Sequence, residues 1–301
     1  MVNVVVLGHI LNEKIVFPDK EIYPVLGSPV AYSSVCIAFL GVDVGIVTKI
    51  GKNFPQELLA VFKETGVNTE GIKVCENSTN NELIYNNHGN KTLNFLSKAE
   101  KIGFEDIPEN YRDAKLFSVS PMDYEITINT IKEIYKLGKI MAVDIGGYGG
   151  GTSDSHPSVK DGHELREMCP YFNIVKGSIE DYRHIFGNGI NESFISGKIV
   201  EWGAEISIVT LGEKGSFIKN MEKEKYIPAY PVEKYLDQTG AGDCYFAGFL
   251  TKFLNCGDAF ESAIYGTATT SYIIERSGGV IAERMPDLTE VEARASNLVF
   301  S

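Results

Sequence analysis

No stretch of the 301 residues is apolar for the length that a membrane-spanning helix requires, so no membrane partner is expected. Basic residues are in deficit, with 28 Lys and Arg against 40 Asp and Glu. The resulting net charge of -12 argues against a general nucleic-acid or acidic-membrane surface, which needs a basic footprint. It leaves room for a nucleotide held by a few local donors. The cysteines are scarce and odd in number: Cys36, Cys75, Cys169, Cys244 and Cys256 contain no Cys-x-x-Cys pair. Free, mostly buried thiols in a reducing cytoplasm are the expectation. The apolar run Val2 to Leu7 is too short for a signal peptide and lacks the basic flank. No Pro- or Ser-rich linker divides the chain, so a single domain over 1–301 is expected. Two familiar nucleotide loops are also missing: the glycines from Gly146 to Gly151 fit neither Gly-x-Gly-x-x-Gly nor Gly-x4-Gly-Lys-Ser/Thr. They form a loop near a bound acceptor or a loop in solvent.

What is present is a strand-helix alternation. Val2 to Leu7 is a nearly continuous β-branched run, as expected of a strand buried on both faces. Pro55, then Leu58, Leu59 and Phe62, then Gly66 mark a short amphipathic helix. Beyond Pro108, Lys115–Ser120, a helix carrying Ile131, Ile134 and Tyr135, and Ile140–Ile145 follow one another, which predicts an α/β fold with a doubly wound, mostly parallel sheet. Two segments, about 12–24 and 74–98, alternate polar and apolar residues around the turns Pro18-Asp19 and Asn86 to Asn90. They predict hairpins.

The most informative stretch runs from Leu236 to Leu250. Gly240 and Gly242 build a turn that a ligand can approach closely. Phe246, Phe249, Leu250 and Phe253 then recur at the spacing of a buried helix face. The first turn of that helix presents unpaired N–H groups and partial positive charge, a site for phosphate. Asp243 stands at the same junction, either as the helix N-cap or as a group that accepts a hydroxyl proton during phosphoryl transfer.

Asp237, Gly240, Ala241, Gly242 and Asp243 match position for position the Asp-x-x-Gly-Ala-Gly-Asp signature of the PfkB (ribokinase-like) carbohydrate kinase family, which the chain resembles. The resemblance implies an ATP- and Mg²⁺-dependent kinase in which Asp243 is the base and the amides of Gly240, Ala241, Gly242 and Asp243 form the anion hole. Val209-Thr210-Leu211-Gly212-Glu213-Lys214-Gly215 resembles the family's phosphate-contacting strand and turn, implicating Thr210, Gly212 and Gly215 beside Thr239 and Lys176. The segment from Lys176 is similar to the family's Lys-x-Asn-x-x-Glu, with Ser178 in the Asn position, Asp181 in that of Glu, and Glu180 one residue out of register. Asp181 or Glu180 would then help organise Mg²⁺ or would be an ordinary first-turn acid.

For the acceptor the resemblance implies Gly27, Ser28 and Tyr32 at the start of the first helix, together with Glu13 and Asp144. The hairpins would form a lid over the sugar site, and in this family such lids also serve as a homodimer interface. Three departures bear on the substrate: Tyr32 replaces the usual Asn, Glu13 a shorter Asp, and Asp144 is not followed by Asn and Arg. They point away from ribose and towards a polyol such as a cyclitol, with a nucleoside as the alternative. Tyr32 also reads as core packing; a nucleotide- or sugar-binding relative without catalysis is the rival from another class. Ala263, Gly266, Thr267 and Thr270 either admit the nucleotide base or allow close helix packing. His156 and His163, near Asp154 and Asp161, match no common metal-ligand spacing.

Overall fold

The computed structural model describes residues 1–85, 91–155 and 162–299. The first apolar run becomes β1 (Val4–Leu7), and its alternation shows why it is apolar throughout. Val4 and Val6 enter the core on one face of the sheet, Val5 and Leu7 the core on the other. The chain leaves the core as β2 (Leu11–Val16) and β3 (Glu21–Gly27), then returns through α1 (Pro29–Phe39) and β4 (Val44–Gly51). After α2 (Ala60–Thr65) and β5 (Asn68–Cys75), it leaves again as β6 (Thr79–Tyr85) and β7 (Lys91–Ser97).

From β8 (Leu116–Val119) the expected alternation sets in: α3 (Ile128–Tyr135), β9 (Ile140–Asp144), α4 (His163–Met168), β10 (Ile174–Ser178), α5 (Ile179–Phe186), α6 (Glu192–Glu201) and β11 (Ile206–Thr210). The antiparallel strands β12 (Ser216–Asn220) and β13 (Glu224–Ile227) follow, then α7 (Ala241–Cys256), α8 (Ala259–Glu275) and α9 (Leu288–Val299).

Among the described residues, a nine-stranded sheet runs β13-β12-β11-β10-β9-β8-β1-β4-β5. Every neighbouring pair from β11 to β5 is parallel, with α1 and α7 on one face and α5 and α6 on the other. The doubly wound expectation therefore holds. The hairpin segments form a second, four-stranded sheet in the order β3-β2-β6-β7. Val74, expected in this small sheet, belongs instead to β5 at the edge of the large one, because β4 offers a parallel partner through Gly51↔Cys75. The Asn86 to Asn90 turn, His156 and Asp161 lie outside the described residues. No helix among the described residues is long and apolar enough to cross a membrane.

Candidate active site

The carboxyl ends of β9, β10 and β11 bring Asp144, Lys176, Ser178 and Thr210 to one end of the sheet, where ligands of open parallel sheets are bound. The turn before α7 meets them there. Gly240 is the N-cap, in the left-handed region at φ 76°, so Asp243 is the third helical residue and not the cap. The carboxylate thus lies in the first turn, where the helix dipole favours its ionised form.

The turn is held from below. A Cβ on Gly240 would lie 2.3 Å from Cδ1 of Tyr32, whose ring fills that space. Arg284, fully buried, donates from Nη2 to the Asp237 carbonyl at 2.8 Å, approaches the Asp237 carboxylate at 3.4 Å, and reaches the Tyr32 hydroxyl at 3.4 Å. Asp237 Oδ1 in turn accepts from the Thr239 amide at 2.9 Å. Above, Thr270 Oγ1 donates to the Ala241 carbonyl at 3.0 Å and Ser33 Oγ to the Asp243 carbonyl at 3.2 Å. Arg284 was not legible in the sequence, since an arginine between Glu and Met outside any motif carries no pattern.

The four expected anion-hole amides are not equivalent. Ala241 N–H turns back onto the Gln238 carbonyl at 3.1 Å, so Gly242, one position on, is better placed to meet an anion. Both residues line a cavity of about 320 Å³, together with Lys176, Thr210, Gly212 and Gly215. Thr267 and Thr270 face it from α8, whereas Gly266 packs against the α7 backbone, where a Cβ would come 2.8 Å from the Tyr245 carbonyl. The small residues of α8 thus divide between the two expected roles. Thr239 is absent from the lining; its side chain meets the hydroxyl of Tyr85 from β6.

Lys176 is the charge centre of the site. Its ammonium lies 2.5 Å from Asp144 Oδ2 and 3.2 Å from where a Cβ on Gly242 would stand. Burial works to lower its pKa, but Asp144, Asp243 and Asp181 outweigh it and hold the group above its ordinary value. Burial pushes the Asp144 carboxyl up, with the Lys176 charge acting against it. Asp144, expected at the acceptor, is the partner of Lys176: Oδ2 faces the ammonium and Oδ1 accepts from the Gly146 amide at 3.2 Å.

Asp181, one of the two acids expected near Mg²⁺, is engaged within the protein. Its Oδ2 accepts from the Ser178 amide and hydroxyl, each at 2.7 Å, and Oδ1 accepts from Gly151 N–H at 2.7 Å, which makes it the capping-box residue of α5. Glu180 lines the cavity, as does Glu213, and its side chain is exposed. Among the described residues no cluster of three or more His, Cys, Asp or Glu could cage a metal ion. The glycine loop after Asp144 is buried through Gly150 and tied to Asp181, so the solvent-loop reading of it is corrected as well.

On the acceptor side, Glu13 is buried on β2, and Gly27 on β3 lies directly against its carboxylate, 3.2 Å from Oε2 to a Cβ position. Ser28 caps α1: its Oγ accepts from the Ala31 amide at 3.1 Å. Tyr32 is 4% exposed and supports Gly240, the packing role that the sequence left open beside an acceptor contact. Asn81 and Tyr85, both on β6, lie outside every motif in the sequence.

A family model described as pfkB family carbohydrate kinase matches residues 31–285. The cytidine kinase of Thermococcus kodakarensis is 29% identical over 84% of this chain and 89% of its own. The nucleoside kinase of Methanocaldococcus jannaschii is 25% identical over 89% of this chain and 84% of its own. The structure of Arabidopsis thaliana ribokinase complexed with ribose and ATP superposes with a TM-score of 0.80 at 20% identity, covering 98% of this chain and 99% of that one. With a ribokinase-like fold and the signature turn at the mouth of a cavity, the chain belongs to the pfkB family of carbohydrate kinases.

Proposed function

We propose that the protein is an ATP-dependent kinase that phosphorylates a sugar hydroxyl of a nucleoside. The observation that carries this is the position of the 237–243 turn, with a cavity of nucleotide size on one side and the small sheet, through Tyr85, on the other. ATP would occupy the cavity, with its phosphates towards Gly242, Thr210, Gly212 and Lys176. Asp243, in the first turn of α7, would accept the proton of the attacking hydroxyl, a role worth about 10²- to 10⁴-fold in rate. The Gly242 amide and the Lys176 ammonium would offset charge on the transferring group. Mg²⁺ bound with the triphosphate would supply further charge neutralisation, and Glu180, facing the cavity, is the acid that fits it through water. The small sheet would act as a lid that keeps water from the transfer.

A nucleoside is favoured over the free polyol or cyclitol suggested by sequence, because the cytidine kinase and nucleoside kinase relatives match most of the chain. The exposed Ile22, Tyr23, Ile84 and Leu96 on the small sheet support a homodimer through the lid, and the free cysteines fit a cytoplasmic setting. ADP release scored over nucleosides, pentoses, hexoses and cyclitols tests the function. Release led by a nucleoside is expected. Release led by a free polyol would replace the acceptor, and ATP binding without release for any compound would favour a binding protein without catalysis.

A further inference from the structure

Residues 79, 81, 83 and 85 of β6 point to one side of the small sheet. That side faces the main body at both ends. Thr79 Oγ1 hydrogen-bonds His9 Nδ1 at 2.8 Å just beyond β1, and the Tyr85 hydroxyl lies beside the Thr239 side chain in the signature turn. Asn81 lies between these anchors and therefore looks into the space between the lid and the turn. In the parallel register it stands beside Glu13 on the same face. Asn81 is 1% exposed, yet its Oδ1 has no hydrogen-bond partner among the described residues. Buried polar atoms of folded proteins are nearly all paired, so an unpaired acceptor on the face turned towards the signature turn calls for a donor from outside the described residues.

We propose that Asn81 is a specificity-determining residue of the acceptor site, where its Oδ1 and the Glu13 carboxylate each accept a hydrogen bond from one hydroxyl of a vicinal diol. The proposal rests on the nucleoside reading and narrows it to ribonucleosides. Neighbouring strands hold the two side chains about 4.8 Å apart at the backbone, a spacing suited to adjacent hydroxyls of one ring. Glu13 has contacts of its own, but a carboxylate has lone pairs for a further donor. A 2′,3′-diol presents two O–H donors to these two acceptors. A monodeoxy sugar presents one and leaves a buried acceptor unpaired, which is the circumstance that gives strong discrimination.

The test measures kcat/KM for cytidine, 2′-deoxycytidine and 3′-deoxycytidine in the wild type, Asn81→Ala and Asn81→Ser, with melting temperatures recorded for all three proteins. The wild type should prefer cytidine to at least one monodeoxy analogue by about 10²-fold or more. Asn81→Ala should lose about 10- to 100-fold on cytidine while changing little on the analogue that lacks the hydroxyl it reads, so that the preference collapses. Asn81→Ser, which keeps an acceptor oxygen, should fall between. An equal loss on all three nucleosides would overturn the proposal and leave the kinase reading intact. Turnover of a free polyol but no nucleoside would sink the nucleoside reading instead. The same comparison on that polyol and its monodeoxy analogues then decides Asn81, and absence of turnover with any acceptor overturns both.

Discussion

The ring of Tyr32 occupies the space into which a side chain on Gly240 would project, 2.3 Å from the Cβ position. Gly240 also needs its left-handed backbone to start α7. A Gly240→Ala protein would meet a conformational cost of about 1–2 kcal/mol and an overpacking cost of about 1–3 kcal/mol. A lower melting temperature and a weakened ATP affinity are expected together. An unchanged melting temperature would mean that the turn yields easily and that Tyr32 does not support it.

Asp243→Asn should leave the fold and ATP binding nearly unchanged, because the amide keeps the size and the helix position of the acid. Turnover should fall by about 10²- to 10⁴-fold. Isothermal calorimetry with ATP and a steady-state ADP assay on the same preparation separate the two effects, and normal turnover would remove Asp243 as the base.

Lys176 and Asp144 are both buried, so truncating the lysine strands a carboxylate. Lys176→Met should destabilise the protein by roughly 3–5 kcal/mol, and the double variant Lys176→Met with Asp144→Asn should regain much of this without regaining activity. The pH dependence has a definite sign. A lysine raised in the folded state contributes stability that is complete below its unfolded value of about 10.4 and is lost only as pH rises through the folded value. Chemical denaturation should therefore show no loss from this group near neutrality and a decline only in strong alkali.

Asp181 and Glu180 are adjacent but should respond differently. Asp181→Ala removes the reciprocal cap of α5 and should cost about 0.5–2 kcal/mol of stability. Glu180→Gln should leave stability alone and raise the Mg²⁺ concentration needed for half-maximal rate. If the Asp181 variant instead shows the Mg²⁺ effect at unchanged stability, the assignment made from the capping geometry is wrong.

Tyr85→Phe removes the hydroxyl that the small sheet sets beside Thr239 while keeping the stack on Phe17, whose centroid lies 5.0 Å away. A lost neutral hydrogen bond is worth about 0.5–1.5 kcal/mol, so the acceptor KM should rise about 3- to 10-fold. ATP hydrolysis without acceptor should rise with it, as measured by phosphate release.

Much of the architecture was legible because apolar runs and strand-helix alternation record burial directly. Val4 to Leu7 feeds both faces of the sheet, and Phe246, Phe249 and Leu250 all lie in the core. Several cavity-lining residues, Thr210, Gly212, Gly215, Ala241 and Gly242, were also legible, because they fall in two motifs whose turns need glycine, with Gly212 and Gly215 at positive φ. The acceptor side was less so. Ser28, Tyr32 and Asp144 carry the right chemistry at the right place in the chain, but a cap, a packing contact and an ion pair engage them first. Asn81 and Arg284 depend on long-range neighbours, such as Glu13 across a strand pair and Tyr32 at a separation of 252 residues, which no local pattern encodes.

Thr270 has one further consequence. The same side chain borders the cavity and grips the Ala241 carbonyl at the root of the helix that carries Asp243. A molecule shouldering into that space presses on a hydroxyl that is one bond away from the first turn of α7. If, as proposed, the pocket takes a nucleotide and Asp243 is the base, filling the one and aligning the other are mechanically a single event, and nucleotides with different phosphate lengths should stiffen the helix start to different degrees.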